Sequence, residues 1–256
     1  MPSIATAAPV HASRDRFCRY EFKYRLPRGM AAPVRAFVAA HLPRDPYSAA
    51  AADHHYDIVS LYLDSADLRL CRESRDGKKN RFKLRIRGYD DEATSPVYLE
   101  IKRRINWVIL KDRCEAPRCE LQAFSAPCGA PASSPAAQQF RFYRTCLAAS
   151  PQALVRYRRE AFEGSGPERV RVTLDQNLAC RLTHDWDLRL HGNGWRRVLP
   201  GETVLEIKFS GRYPAWLQEL VRRYRLQARS VSKYSLSLGA GIPAAADLLA
   251  RRAVGA

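Results

Sequence analysis

Apolar and charged residues alternate at a period of two in at least five separate stretches of the chain, 18–25, 81–87, 98–104, 170–175 and 204–209. Side chains at i, i+2 and i+4 share a face of a strand, so each stretch predicts a strand with one apolar and one charged face. The sharpest is Arg81-Phe82-Lys83-Leu84-Arg85-Ile86-Arg87, with Arg81, Lys83, Arg85 and Arg87 on one face and Phe82, Leu84 and Ile86 on the other. Like charges about 7 Å apart in a row repel one another. A polyanion, or a set of facing carboxylates, is therefore expected opposite them.

Helical spacing is confined to shorter segments. Val34, Phe37, Val38 and Leu42 predict an amphipathic helix over 31–42, and residues 67–73 a helical turn. Phe140, Tyr143, Arg144 and Leu147 predict a helix ending near Ser150-Pro151, and Trp216, Leu217, Leu220, Val221 and Tyr224 another over 214–226 behind Pro214. Strand composition recurs at 58–64, 107–113 and 154–162, with turns at Asp76-Gly77 and Gly192-Asn193-Gly194. Residues 125–137 read as a surface loop or an internal linker. The expected organisation is a flexible segment over 1–16, one domain over 17–239 and a tail over 240–256. Leu-Glu-Ile-Lys occurs at 99–102 and again at 205–208, too short an echo to make a duplicated domain.

Carboxylates change the meaning of the charged faces. Glu21/Lys23, Glu100/Lys102 and Glu206/Lys208 share the i, i+2 spacing, in strands from all parts of the chain. The bland alternative is an open antiparallel sheet with one wet face. Closing the sheet with its charged faces inward instead makes a tunnel lined by Lys, Arg and Glu, with helices covering the apolar faces outside. Such an interior is tolerable only when its charges are compensated or filled by a ligand. A triphosphate with a divalent cation meets both needs, since arginine forks and lysines bind phosphate oxygens and carboxylates hold the metal.

Composition narrows the partner. With 256 residues, 46% hydrophobic, the chain can bury a sizeable core, and its net charge of +17 calls for nucleic acid, an acidic membrane surface or a phosphate-rich small molecule. Nucleic acid is not the expected partner, because Glu21, Glu100, Asp175 and Glu206 sit among the bases. Seven scattered cysteines without a CxxC pair argue against a disulfide framework or a zinc knuckle and fit a reducing cytoplasm. No window is long and apolar enough for a membrane span, and no Walker motif is present. Asp53-His54-His55 lacks a third ligand at fixed spacing and reads as a solvated loop. Cys114 and Cys119 read as packing or surface thiols.

An ordered set of segments spanning about 17–239 resembles the VTC domain of polyphosphate polymerases, within the triphosphate tunnel metalloenzyme (CYTH-like) superfamily. The segments are Glu21-Phe22-Lys23-Tyr24, Ser60-Leu61-Tyr62-Leu63-Asp64, 81–87, Leu99-Glu100-Ile101-Lys102, Lys111, Tyr157-Arg158-Arg159, Arg171-Val172-Thr173-Leu174-Asp175, Leu205-Glu206-Ile207-Lys208 and Ser232-Lys233-Tyr234. No single piece is specific; their order is. The resemblance implies an α+β fold built on an eight-stranded antiparallel β-barrel, the triphosphate tunnel, with flanking helices. It implies transfer of the ATP γ-phosphoryl group to a growing polyphosphate chain with Mn²⁺ or Mg²⁺. Lys23, Lys83, Arg85, Arg87, Lys102, Lys111, Arg158, Arg171, Lys208 and Lys233 would contact phosphates. Lys208, Lys233, Arg85 and Arg87 would serve catalysis, and Glu206, with Glu21 and Glu100, would hold the metal. The family often carries a further basic residue just upstream of Lys233, where Ser230 and Ser232 stand here with Arg229 nearest. A triphosphate or polyphosphate hydrolase of the same superfamily, or a non-catalytic polyphosphate- or nucleic-acid-binding module, stays open as an alternative. A membrane-protein partner leaves no trace in the sequence.

Overall fold

The computed structural model describes residues 19–106, 108–126, 134–166 and 169–241. The segment 1–16, nearly all of the 240–256 tail, most of the 125–137 loop, Cys18, Trp107 and Cys128 lie outside the described residues. Among those described, nine strands form one antiparallel sheet: β1 (Arg19–Leu26), β2 (Tyr56–Asp64), β3 (Asn80–Gly88), β4 (Val97–Ile105), β5 (Val108–Ala116), β6 (Ser150–Glu163), β7 (Arg171–Leu182), β8 (Arg196–Arg197) and β9 (Thr203–Ser210). The helices are α1 (Ala31–Ala39), α2 (Pro46–Ala50), α3 (Arg69–Arg75), α4 (Pro135–Cys146), α5 (Ala215–Arg223) and α6 (Lys233–Gly241), with a 3-10 segment over Arg118–Ser125.

The α+β class stands; the closed eight-stranded barrel needs correction. Strand order is β1-β9-β7-β6-β2-β3-β4-β5, with the short β8 on β7, and no backbone pairing among the described residues joins β1 to β5. Accumulated strand twist nevertheless curls the sheet. Its ends come so near that Lys102 Nζ on β4 reaches both carboxylate oxygens of Glu21 on β1 at 2.9 Å. Side chains, not a ladder, span the seam.

The period-two pattern sorts residues onto a convex and a concave face. On the convex side, Leu61, Leu84, Ile86, Leu99 and Ile101 pack with Phe140 of α4 and with Leu121 and Phe124 of the 3-10 segment. A second convex core joins Leu26, Val172, Leu174, Leu205 and Ile207 to Val34 and Val38 of α1 and Leu217 and Leu220 of α5. Each fully buried aliphatic side chain contributes about 1.5 to 3 kcal/mol of transfer free energy, so helices on the outside let the inside be charged. Pro214 opens α5 and Arg222 and Arg223 close it, in keeping with the helix dipole.

One helix lies on the concave side. Tyr234 and Leu238 of α6 pack among Ile58, Tyr62, Val155, Tyr157, Leu178 and Cys180. Tyr234 stacks on Tyr62 with centroids 4.7 Å apart and donates to Asp64 Oδ2 at 2.9 Å. Asp64 is fully buried and also accepts from the backbone N–H groups of Ser65, Leu70 and Cys71, so one carboxylate ties β2, α3 and α6 together. On β7, Asn177 adopts φ 54°, and the register shifts between Arg156 and Arg158 of β6 at this point. That bulge keeps Asp175 and Leu178, three apart, on the same face.

Candidate functional site

The concave face away from α6 carries the charged half of every alternating strand. In register, Glu21 lies opposite Lys208, Lys23 opposite Glu206, Thr173 opposite Glu206 and Arg171 opposite Lys208. Across the curl, Lys83 lies opposite Lys102 on β4, Lys102 opposite Lys111 on β5, and Arg85 opposite Glu100. A cavity of about 210 Å³ opens where Glu21, Lys23, Lys83 and Lys102 meet Ser230–Ser232, with Arg81 and Arg104 at its rim.

Two carboxylate centres organise the cations. The first is Glu206 with Glu21, placed diagonally on β9 and β1. Lys208 Nζ lies 2.6 Å from Glu206, and Glu21 takes Lys23 at 3.0 Å and Lys102 at 2.9 Å. Burial opposes the charge on Glu206, but Lys208, Lys23, Lys102 and Lys233 hold its pKa well below the carboxylate range. Burial and the Glu206 charge likewise oppose ionisation of Glu21, yet Lys23, Lys102 and Lys208 prevail and set it at about 2. The second centre is Glu100, fully buried, with Arg85 at 2.6 Å, Lys111 at 2.7 Å, Arg113 at 3.8 Å and Arg87 at 3.9 Å. Burial opposes its charge too, and Arg85, Arg87 and Lys111 overcome it. Arg87 further donates to Ser60 Oγ and the Tyr157 hydroxyl.

Some lysines are left under-compensated. Lys83 donates to Ser232 Oγ at 2.8 Å and has no carboxylate partner among the described residues. Burial, with the Lys23, Lys102 and Arg85 charges, pushes it down to about 7. Burial and Lys23 lower Lys102 to about 8 against the pull of Glu21 and Glu206, and burial lowers Lys111 to about 8 despite Glu100. In the segment before Lys233, Ser232 holds the Lys83 amine of β3.

Of the residues expected at phosphates, Lys23, Lys83, Arg85, Arg87, Lys102, Lys111, Lys208 and Lys233 share this concave face. Arg158 does not. It pairs on the outer face with Asp53 and Asp57, while its neighbour Arg159 turns inward and clasps the buried Asp175 through two hydrogen bonds of 2.6 and 2.8 Å. Lys233 Nζ meets the same carboxylate at 2.6 Å. Arg171 lies on the concave face at its rim, held by Asp45 at 2.7 Å and by Glu163. Asp45 is itself fixed by capping α2 through the Ser48 N–H. Arg159 and Asp175 share a face with Tyr157 and Thr173, two residues away, a relation legible in the sequence, although which face turns inward is not.

A divalent cation fits the Glu206 and Glu21 centre but not Glu100. Glu206 and Glu21 are ionised neighbours, and beside them the buried Thr173 hydroxyl has no hydrogen-bond partner among the described residues. Mg²⁺-type ions take one or two carboxylates and complete their shell with water and substrate phosphate, so two suffice. Glu100 is instead surrounded by four cationic side chains, which corrects its placement in the metal set. No group of three His, Cys, Asp or Glu side chains suited to a metal occurs among the described residues, and Asp53-His54-His55 makes none.

A family model described as the VTC domain matches residues 18–240. No curated protein matches the sequence. Among solved structures, an adenylate-cyclase-like protein of Bacillus halodurans is 12% identical with a TM-score of 0.49, covering 84% of this chain and 95% of its own. The PH1819 protein of Pyrococcus horikoshii OT3 is 14% identical with a TM-score of 0.43, covering 86% of this chain and 99% of its own. At these scores the likeness carries no argument about chemistry.

Proposed function

The chain belongs to the VTC domain family, and on that premise we propose that it is an ATP-dependent polyphosphate polymerase, transferring the γ-phosphoryl group of ATP to a growing polyphosphate chain. The observation that carries this reading is Glu206, a buried carboxylate kept ionised by Lys208, Lys23, Lys102 and Lys233. Among the described residues only Lys208 touches Glu206 directly; Lys23 and Lys102 are shared with Glu21 and Lys233 with Asp175, and with Lys83 and Arg159 six cationic groups face these three carboxylates, leaving an excess of positive charge for phosphate oxygens. Arg85, Arg87 and Lys111 extend that excess along β3 and β5, with Arg159 on the facing β6.

In-line phosphoryl transfer asks a protein mainly for positioning and for neutralising charge on the transferring oxygens. Lys208 and Lys233 are assigned to the reacting end, and Arg85 and Arg87 to holding the donor oxygens in line. A divalent ion, Mn²⁺ or Mg²⁺, bound at Glu206 and Glu21 would neutralise donor oxygens there. The acceptor is a phosphate that is already anionic, so no general base is required. Lys23, Lys83 and Lys102 face the 210 Å³ cavity and would receive the polyphosphate partner. A cytoplasmic location, where ATP is at hand, belongs to the same proposal.

Purified protein given ATP and Mn²⁺ is expected to release ADP and accumulate acid-stable, long-chain phosphate. Orthophosphate without chain growth would make it a hydrolase. Polyphosphate binding without turnover would make it a binding module.

A further inference from the structure

The convex apolar face continues past the end of the core it builds. On β4 and β5 the buried run Leu99 and Ile101 lies under α4 and the 3-10 segment, but the hairpin tip beyond carries Ile105, Val108 and Leu110 at 43, 53 and 40% exposure. Ile105 pairs with Val108 and Arg103 with Leu110, which sets all three apolar side chains on one face. The patch runs on across the sheet. Phe82 on β3 pairs with Arg103, Tyr143 of α4 packs on Phe82 at 4.6 Å, and Phe142 beside it is 62% exposed. Of the seven large apolar side chains exposed among the described residues, four are here. Scattered singly they would need no explanation; gathered at one hairpin tip and the helix beside it they mark an interaction surface.

The charge around the patch identifies the partner. Of the ten lysines and arginines in segments 78–87 and 101–111, which hold no carboxylate, Lys83, Arg85, Arg87, Lys102 and Lys111 face the concave site, and Lys78, Lys79, Arg81, Arg103 and Arg104 lie toward the hairpin tip. Lys78 and Lys79 are exposed and form no ion pair among the described residues. Arg81 and Arg104 donate to backbone carbonyls, of Lys78 and Asn106. Asp112, the first acid beyond the tip, is already paired with Arg103 at 2.7 Å. Apolar side chains on one face of the tip, with Arg81 and Arg104 on its other face and Lys78 and Lys79 on the adjoining strand end, suit a surface that is apolar beneath and anionic on top. A second copy of the chain fits badly, because a two-fold contact would set this charge against itself.

We propose that the β4–β5 hairpin tip, with Phe142 beside it, docks the protein on the surface of an anionic lipid bilayer. Insertion of Ile105, Val108 and Leu110 below the headgroups leaves Lys78, Lys79, Arg81 and Arg104 at headgroup level. Arg81 and Arg104 also rim the 210 Å³ cavity, so docking turns that mouth of the site toward the membrane.

The test uses the full chain and sedimentation with vesicles of phosphatidylcholine alone or mixed with phosphatidylglycerol. Binding is expected only to the anionic vesicles, and the double variant Val108→Ser, Leu110→Ser is expected to bind at least about tenfold more weakly. Its circular dichroism and triphosphate affinity should be unchanged, since both residues point away from the site. Wild-type and variant proteins binding alike would reduce the effect to net charge and overturn the proposal, as would failure of the wild type to bind. Self-association of the wild type that the variant abolishes, without vesicle binding, would assign the patch to a second copy instead.

Discussion

Arg159→Ala would leave the buried Asp175 carboxylate with Lys233 as its one remaining cation among the described residues. Removing one partner of a buried pair costs about 3 to 5 kcal/mol, so urea denaturation should show a loss of that order. Arg158→Ala, on an exposed outer face, should leave the midpoint unchanged. The two arginines are adjacent in sequence, and alternation alone does not say which points inward. Tyr157, two residues from Arg159, settles the phase only once it is known to face the interior. Glu206→Gln is expected to keep the fold and lower metal-dependent turnover by at least about a hundredfold; full activity would remove Glu206 from the centre of the reaction. Lys83, Lys102 and Lys111, near 7, 8 and 8, set a pH dependence of binding. A bound polyanion raises these values, so protons are taken up and triphosphate affinity falls as pH rises from 7 to about 9. Calorimetry in two buffers of different ionisation enthalpy would detect the uptake.

At the scale of elements, the convex face was legible and the concave plug was not. Leu84, Ile86, Leu99 and Ile101 announce their burial by period two, and the helices over 31–42 and 214–226 announce theirs by period 3.6. Around Lys233–Gly241, Tyr234, Leu236 and Leu238 recur at period two and mask the helical i, i+4 pair Tyr234 and Leu238, through which α6 is buried against a tyrosine stack and a carboxylate. The helix α2 and the two-residue β8 are too short for any periodicity. Tyr234→Phe removes one of five donors to the Asp64 carboxylate and is expected to cost about 1 kcal/mol with the fold intact. A much larger loss, measured by thermal denaturation, would mean that Asp64 depends on the hydroxyl rather than on the N–H groups of Ser65, Leu70 and Cys71.

For the whole molecule, the inside-out arrangement makes stability depend on pH in two windows. Glu21 titrates at about 2 when folded and at an ordinary 4.5 when unfolded, so its contribution is complete above 4.5 and is lost as pH falls toward 2. Lys83 moves the opposite way. Its folded value of about 7 against an ordinary 10.5 penalises the protonated form, so without ligand its contribution to stability improves as pH rises across that range. Fold class and most of the charged wall could be read from alternation and from carboxylates among bases. Ring closure could not, because strand alternation is the same in a closed barrel and in a curled sheet.

That unjoined edge bears on how a polymer is loaded. A ring of backbone hydrogen bonds admits a chain only by one of its ends, like thread through a needle. Between β1 and β5 no ladder stands in the way among the described residues; the Glu21–Lys102 contact is a latch of side chains. Polyphosphate blocked by bulky groups at both ends is therefore expected to bind about as well as free chains. Exclusion of the blocked polymer would show that the latch stays shut and that chains are threaded.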